Sequence, residues 1–206
     1  AGYICSYMAD LYTYTKQRSE ERRKFEEAAE FFKQAGNERS YAFALRDVAK
    51  TWAFDDSLSL VLCYMLRADS VITKLRDSAG IGVIANGLGN IYNLMGDIEK
   101  SKSYFIKSLN SDTIYQAPTY LALSSLYYDE NILDSARCYL AKVTGAPANP
   151  YTLVDRFYLG YLIEKDAGDT EKALSYLEQY QEKKDSLYDK QKQVDIIDAE
   201  KRHDVT

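Results

Sequence analysis

The stretch GVIANGLGNIYNLMGDIEKSKSYFIKSL, residues 82–109, decides the fold. Apolar residues recur at intervals of three and four on both sides of Gly96-Asp97, which is the period of an α-helix. Gly commonly ends a helix and Asp commonly starts one, so the stretch predicts two helices joined by a tight turn. Leu88-Gly89 and Tyr92 stand in the first helix; Ser101, Phe105 and Ser108 stand in the second. A glycine at 89 lets two antiparallel helices approach closely. An aromatic fills the gap between them, and small residues admit the next pair.

Working outward, the same spacing returns four more times. Val48-Ala49 and Trp52 precede Val61, Met65 and Ala68; Ser124 and Tyr127 precede Ala136, Leu140 and Val143; Leu159-Gly160 precedes Ala173, Leu177 and Tyr180. The first copy reads Met8-Ala9 and Tyr12, then Ala28, Phe32 and Ala35 after an extended turn. The small position of each first helix falls at Ala9, Ala49, Gly89, Ser124 and Gly160. One residue before the aromatic position of each second helix stand Phe31, Tyr64, Tyr104, Tyr139 and Tyr176, a column whose expected role is packing between repeats. Turns are expected at Gly36-Asn37, Asp55 to Ser57, Gly80, Gly96-Asp97, Asp129 to Asn131, Gly145 to Pro150 and Gly168-Asp169. No segment alternates apolar and polar residues as a strand would.

The repeated Leu-Gly, Tyr and small–aromatic–small spacing resembles the tetratricopeptide repeat, over roughly residues 2–182. The resemblance implies an all-α fold, a right-handed superhelical solenoid of about five antiparallel helix pairs with a long C-terminal helix. The domain expectation is therefore a repeat domain over 1–182 and a charged helix over 183–206. That last helix would cap the stack or link it to a membrane span outside these residues. Its segment from Tyr188 to Asp204 resembles the stretch preceding the membrane helix in regulators common in Bacteroidetes, whose repeats lie outside the cytoplasm. That resemblance implies the sensing part of an envelope regulator, periplasmic or membrane-anchored; a soluble cytoplasmic adaptor is the alternative.

Composition narrows the function classes. The chain has 206 residues, a net charge of −5, 46% hydrophobic and 28% charged residues, which suits a folded globular chain. Its mild acidity gives no support for nucleic-acid binding, which leaves a basic patch. Nineteen Tyr against seven Phe and one Trp suit thin helical layers, because Tyr buries its ring and keeps its hydroxyl wet. Cys5, Cys63 and Cys138 form no metal or disulfide spacing, and Cys63 and Cys138 fall two repeats apart, too far for a bond. The single histidine, His203, leaves no metal pair and no nucleophile–base arrangement, and no phosphate-binding glycine motif is present. No catalysis, cofactor or metal is expected.

The expected activity is binding of a protein or peptide. In the resembled family the first helix of each pair lines a groove, which nominates Tyr14, Phe43, Arg46, Lys50, Phe54, Asn86, Asn90 and Tyr128. Arg46 and Lys50 lie one turn apart, with Asn86 and Asn90 at matching positions one repeat on. Cations and amides in such a row suit a carboxylate or backbone carbonyls, much as in the carboxylate clamp of chaperone-binding members. The bland alternative is solvated cations beside amides that bond each other. Aromatic neighbours favour a peptide site, since rigid rings anchor interfaces. Sugar binding by a Tyr-rich surface and a homodimer remain open from sequence.

Overall fold

The computed structural model describes residues 1–53, 57–111, 116–144 and 151–203; of residues 191 and 194–203 only the backbone is described. Ten α-helices follow one another and no strand occurs among the described residues. They are α1 Gly2–Tyr14, α2 Arg18–Gln34, α3 Glu38–Ala53, α4 Leu58–Leu75, α5 Ser78–Leu94, α6 Ile98–Leu109, α7 Gln116–Asp129, α8 Leu133–Ala141, α9 Tyr151–Asp166 and α10 Thr170–His203. None of them is long and apolar enough to cross a membrane, among the described residues. Two compact units result, Ala1–Thr119 and Tyr120–Thr206, and the division falls in the first turn of α7.

Asx side chains start several of the helices. The Asp77 carboxylate accepts from Gly80 N, Asp97 from Lys100 N, Asn37 from Ser40 N and Asp169 from Lys172 N. Each satisfies an amide that has no intrahelical partner. Gly36, Gly96 and Gly168 end the preceding helices with positive φ, where a side chain would be strained.

In the first unit α1 packs on α2, α2 on α3, α3 on α4, α4 on α5 and α5 on α6. One core cluster gathers Leu45 and Ala49 of α3, Met65, Ala68 and Ile72 of α4, and Ile84, Leu88 and Ile91 of α5. The close approach within the third pair is real: a Cβ at Gly89 would lie 2.5 Å from the Phe105 ring, which is fully buried. Ser101 and Ser108 donate to Gly89 O and Gly82 O, so the small positions of α6 also fasten it to α5. In the second unit the bond runs the other way, Ser124 of α7 donating to Ala136 O of α8, and α9 packs on both α8 and α10. Arg137 of α8 makes a bidentate pair with the buried Glu164 of α9 at 3.0 and 2.7 Å.

Four expectations are corrected. First, the α1–α2 turn is not extended: it occupies Thr15 to Gln17, and the additional residues lengthen α2 instead. Lys16, at φ 58, takes the place that Gly96 holds two pairs later, so a lysine hides the turn. Second, this register aligns Glu21, Phe25 and Ala28 with Ser101, Phe105 and Ser108. Lys24, not the exposed Phe31, therefore stands in the aromatic column. Third, Gly80 is no turn but lies in α5, where its missing side chain makes room for Ile72, 2.5 Å from a Cβ; Arg76 and Asp77 make the turn. Fourth, the aromatic column packs within pairs as well as between them, where Tyr64 of α4 lies against the cluster that holds Ala9 and Phe25 of the first pair, as expected. Tyr92 stacks on Tyr104 at 5.4 Å and Tyr127 on Tyr139 at 5.3 Å, each joining the two helices of one pair. The expected turns at Asp55-Asp56 and Gly145 to Pro150 lie outside the described residues.

Candidate functional site

The first helices α1, α3 and α5 of the first unit border two open clefts, and one ridge of α3 stands between them. On one side, α3, α4 and α5 enclose a cleft of about 270 Å³ floored by Ala49, Val61, Met65, Val83, Gly87 and Ile91. On the other, α1, the start of α2 and α3 enclose about 670 Å³ lined by Asp10, Thr13, Arg18, Glu21, Phe25 and Asp47. Arg46, Lys50 and Ala53 line both.

The ridge is held electrostatically. Arg46 donates to Asp47 Oδ1 through Nε at 3.0 Å and Nη2 at 2.8 Å, and Lys50 Nζ reaches the same oxygen at 3.1 Å. One carboxylate therefore sits between the two cations that the sequence nominated. The Arg46 guanidinium also lies over the Phe43 ring at 4.9 Å, which fixes its height above the helix. Across the ionic cleft, burial raises the Asp10 carboxyl above the ordinary carboxylate value; the Asp47 charge adds to this and Lys50 opposes it. Glu21 is buried and accepts from Thr13 at 2.8 Å and Arg18 at 2.9 Å.

Gly87 lines the apolar cleft beside Met65. A Cβ there would lie 2.6 Å from the terminal methyl of Met65, the far end of a flexible side chain that would have to move aside. Asn86, at the cleft's edge, is buried and donates to Thr119 Oγ1 at 2.8 Å. Asn90 Nδ2 approaches Asn86 Oδ1 at 3.5 Å, the limit of a hydrogen bond. The amide pair is thus a partly internal network, with its free capacity on Asn90 at the surface.

Of the nominated residues, the structure brings Arg46, Lys50 and Asn86 to the rim of one cleft, with Phe43 under Arg46 and Asn90 one turn beyond Asn86. Tyr14 is highly exposed at the end of α1 and lines neither cleft. Tyr128 belongs to the second unit and donates to Asp166 Oδ2 at 2.6 Å. Phe54 lies outside the described residues. Sequence reasoning missed Asp47 and Gly87. Asp47 was legible as the neighbour of Arg46 and the i−3 partner of Lys50, a spacing at which helical side chains meet. Gly87 stands directly before the Leu88-Gly89 of the packing motif, which conceals it as one more packing glycine. Cys5, Cys63 and Cys138 are all free thiols.

No family model matches the chain and no curated protein sequence matches it. Solved structures do. BtubC from P. vanneervenii is 17% identical, with a TM-score of 0.77 over 89% of this chain and 80% of that one. The kinesin light chain TPR-like repeats from Podosopora anserina are 13% identical, with a TM-score of 0.67 over 90% and 95%. YrrB, described as a TPR protein with an unusual peptide-binding site, is 16% identical, with a TM-score of 0.56 over 89% and 86%. At these identities the likeness concerns the fold: the helix pairs are of the tetratricopeptide type.

Proposed function

We propose that the chain is a protein-interaction module that holds a polypeptide segment across the α3 ridge of its first unit. One observation carries this reading: a charged row, Arg46 and Lys50, divides an apolar cleft from an ionic one on the same open face. An apolar side chain fits the 270 Å³ cleft, and the backbone or charged groups of the same segment meet Arg46, Lys50 and Asn90. YrrB, of the same fold, is described by a peptide-binding site, which supports a peptide as the ligand class. Asp47 shares both cations, so backbone carbonyls, which need not expel it, suit the row better than a free carboxylate. Panning a random peptide library against the purified chain tests the reading. Selected peptides are expected to lose affinity for an Arg46→Ala/Lys50→Ala variant; equal affinity for both proteins contradicts it.

The broader setting we propose is the extracytoplasmic sensing part of an envelope regulator. Its support is the charged segment from Tyr188 onward, which runs in one unbroken helix with the last repeat as a rigid lever would. Membrane fractionation of cells expressing the natural gene, with protease protection of this region, decides it. Digestion only after the outer boundary is opened places the domain in the periplasm; digestion only after full lysis contradicts the proposal.

A further inference from the structure

The strongest feature outside the groove is a bare helix face on α1. Ile4, Met8 and Leu11 fall on one side of the helix at spacings of four and three, and they are 64%, 37% and 65% exposed. Tyr7 and Tyr14 flank them and are exposed as well. Asp10 is the sole charged residue of α1, and it points into the ionic cleft. A contiguous apolar face of this kind on a folded domain marks a contact surface.

The repeat itself shows what covers such a face. A shift of 40 residues places Ile4, Met8 and Leu11 on Ala44, Val48 and Thr51 of α3, which are 4%, 0% and 1% exposed. A second shift places them on Ile84, Leu88 and Ile91 of α5, which are 0%, 0% and 7% exposed. In both pairs the cover is the preceding second helix: α2 meets α3 through Ala28, Ala29 and Phe32, and α4 meets α5 through Met65, Ala68 and Ile72. These covers share a pattern, large, small, large at i, i+3 and i+7, as in Phe25-Ala28-Phe32 and Met65-Ala68-Ile72. Another α1 face does not have it. Ile4, Met8 and Leu11 are large throughout, so two such faces cannot interlock ridge into groove as closely as a large row against a small one.

We infer that the Ile4–Met8–Leu11 face of α1 is a docking surface for an amphipathic partner helix of the α2 and α4 kind, with a large–small–large apolar stripe. Such a helix would lie antiparallel to α1 and bury Ile4 and Leu11 as Ile84 and Ile91 are buried. The surface is separate from the clefts at Arg46, so the two proposals stand or fall independently.

The probe is a synthetic, dye-labelled peptide of residues 18–35, whose stripe of Phe25, Ala28 and Phe32 already covers α3 within this chain. It is titrated with the whole chain by fluorescence anisotropy, beside a scrambled peptide of the same composition. Saturable binding is expected, weakened at least about tenfold by Ile4→Glu/Leu11→Glu in the chain and by Phe25→Glu/Phe32→Glu in the peptide. Ile4 and Leu11 are exposed, so the double variant keeps the fold, and circular dichroism verifies it. Binding no tighter than that of the scrambled peptide overturns the inference. So does equal binding to the double variant, which would mean exchange with the chain's own α2. Sedimentation equilibrium supplies the last arm: self-association of the wild type that Ile4→Glu/Leu11→Glu abolishes would make a second copy the occupant and overturn the inference too.

Discussion

At Gly87 and Gly89, two residues apart on one helix, the same atom deletion serves opposite ends. A Cβ at 89 would strike the Phe105 ring at 2.5 Å, and that ring is fully buried. A Cβ at 87 would lie 2.6 Å from the terminal methyl of Met65, the end of an unbranched side chain that can turn aside where a ring cannot. Helix propensity favours Ala over Gly by up to about 1 kcal/mol at either position. Overpacking a closed core costs about 1–3 kcal/mol. Gly89→Ala is therefore expected to lower stability in a urea melt, and Gly87→Ala to leave it unchanged or raise it. Tyr128 offers a second check. Its hydrogen bond to Asp166 holds the phenol proton, and the pKa is pushed up to about 12. A raised tyrosine pKa contributes stability that is fully present below pH 10, the ordinary tyrosine value, and is lost as pH rises toward about 12. Burial raises Tyr64 and Tyr104 as well, so ultraviolet titration of the folded chain should show more than one phenol ionising late, and Tyr128→Phe should remove one of them.

Single helices show where the sequence could and could not be read. The start of α5 depends on Asp77, which caps Gly80 N and pairs with Arg39 of α3. These partners hold its carboxyl below the ordinary carboxylate value, the Arg39 contact first. A depressed carboxylate contributes stability above its unfolded pKa that is lost as pH falls through the folded one, so Asp77→Ala should cost about 1 kcal/mol near neutrality. The difference from wild type should close in strong acid, as read by thermal melts across that range. Asn37, Asp97 and Asp169 open helices by the same local rule, each directly after a glycine, which is why those three starts were legible, whereas Gly80 drew the expected turn past Asp77. The end of α1 was not legible, because Lys16 adopts the positive φ that the pattern assigns to glycine. That concealed turn displaced the expected register of α2 and brought Phe31 into a column that belongs to Lys24. Gly80 misled in the opposite direction: it reads as a turn but serves Ile72 inside a helix. Of the candidate site, the positions of Arg46, Lys50 and Asn86 followed from the repeat period. The bond from Asn86 to Thr119, 33 residues away, depends on tertiary packing that no local spacing reveals.

For the molecule as a whole, function follows from what helix pairs leave uncovered. In the first unit α2 and α4 bury their large–small–large stripes against α3 and α5, so the first helices present one side outward, and that side carries two clefts and a charged ridge. The account predicts that recognition there combines an apolar anchor with polar contacts, and that moderate salt weakens it only partly, because ionic contacts at an exposed ridge are screened while apolar burial is not. The most direct test of the central claim is the dissociation constant of a library-selected peptide for the wild type and for Gly87→Leu, measured by calorimetry. The leucine side chain would push the Met65 methyl aside, fill the apolar cleft and leave Arg46 and Lys50 in place. The account predicts that Gly87→Leu folds as the wild type does and binds the peptide about tenfold to a hundredfold more weakly, which is the loss of one buried anchor side chain. Unchanged affinity in a folded Gly87→Leu variant would contradict it and move the binding surface elsewhere on the chain.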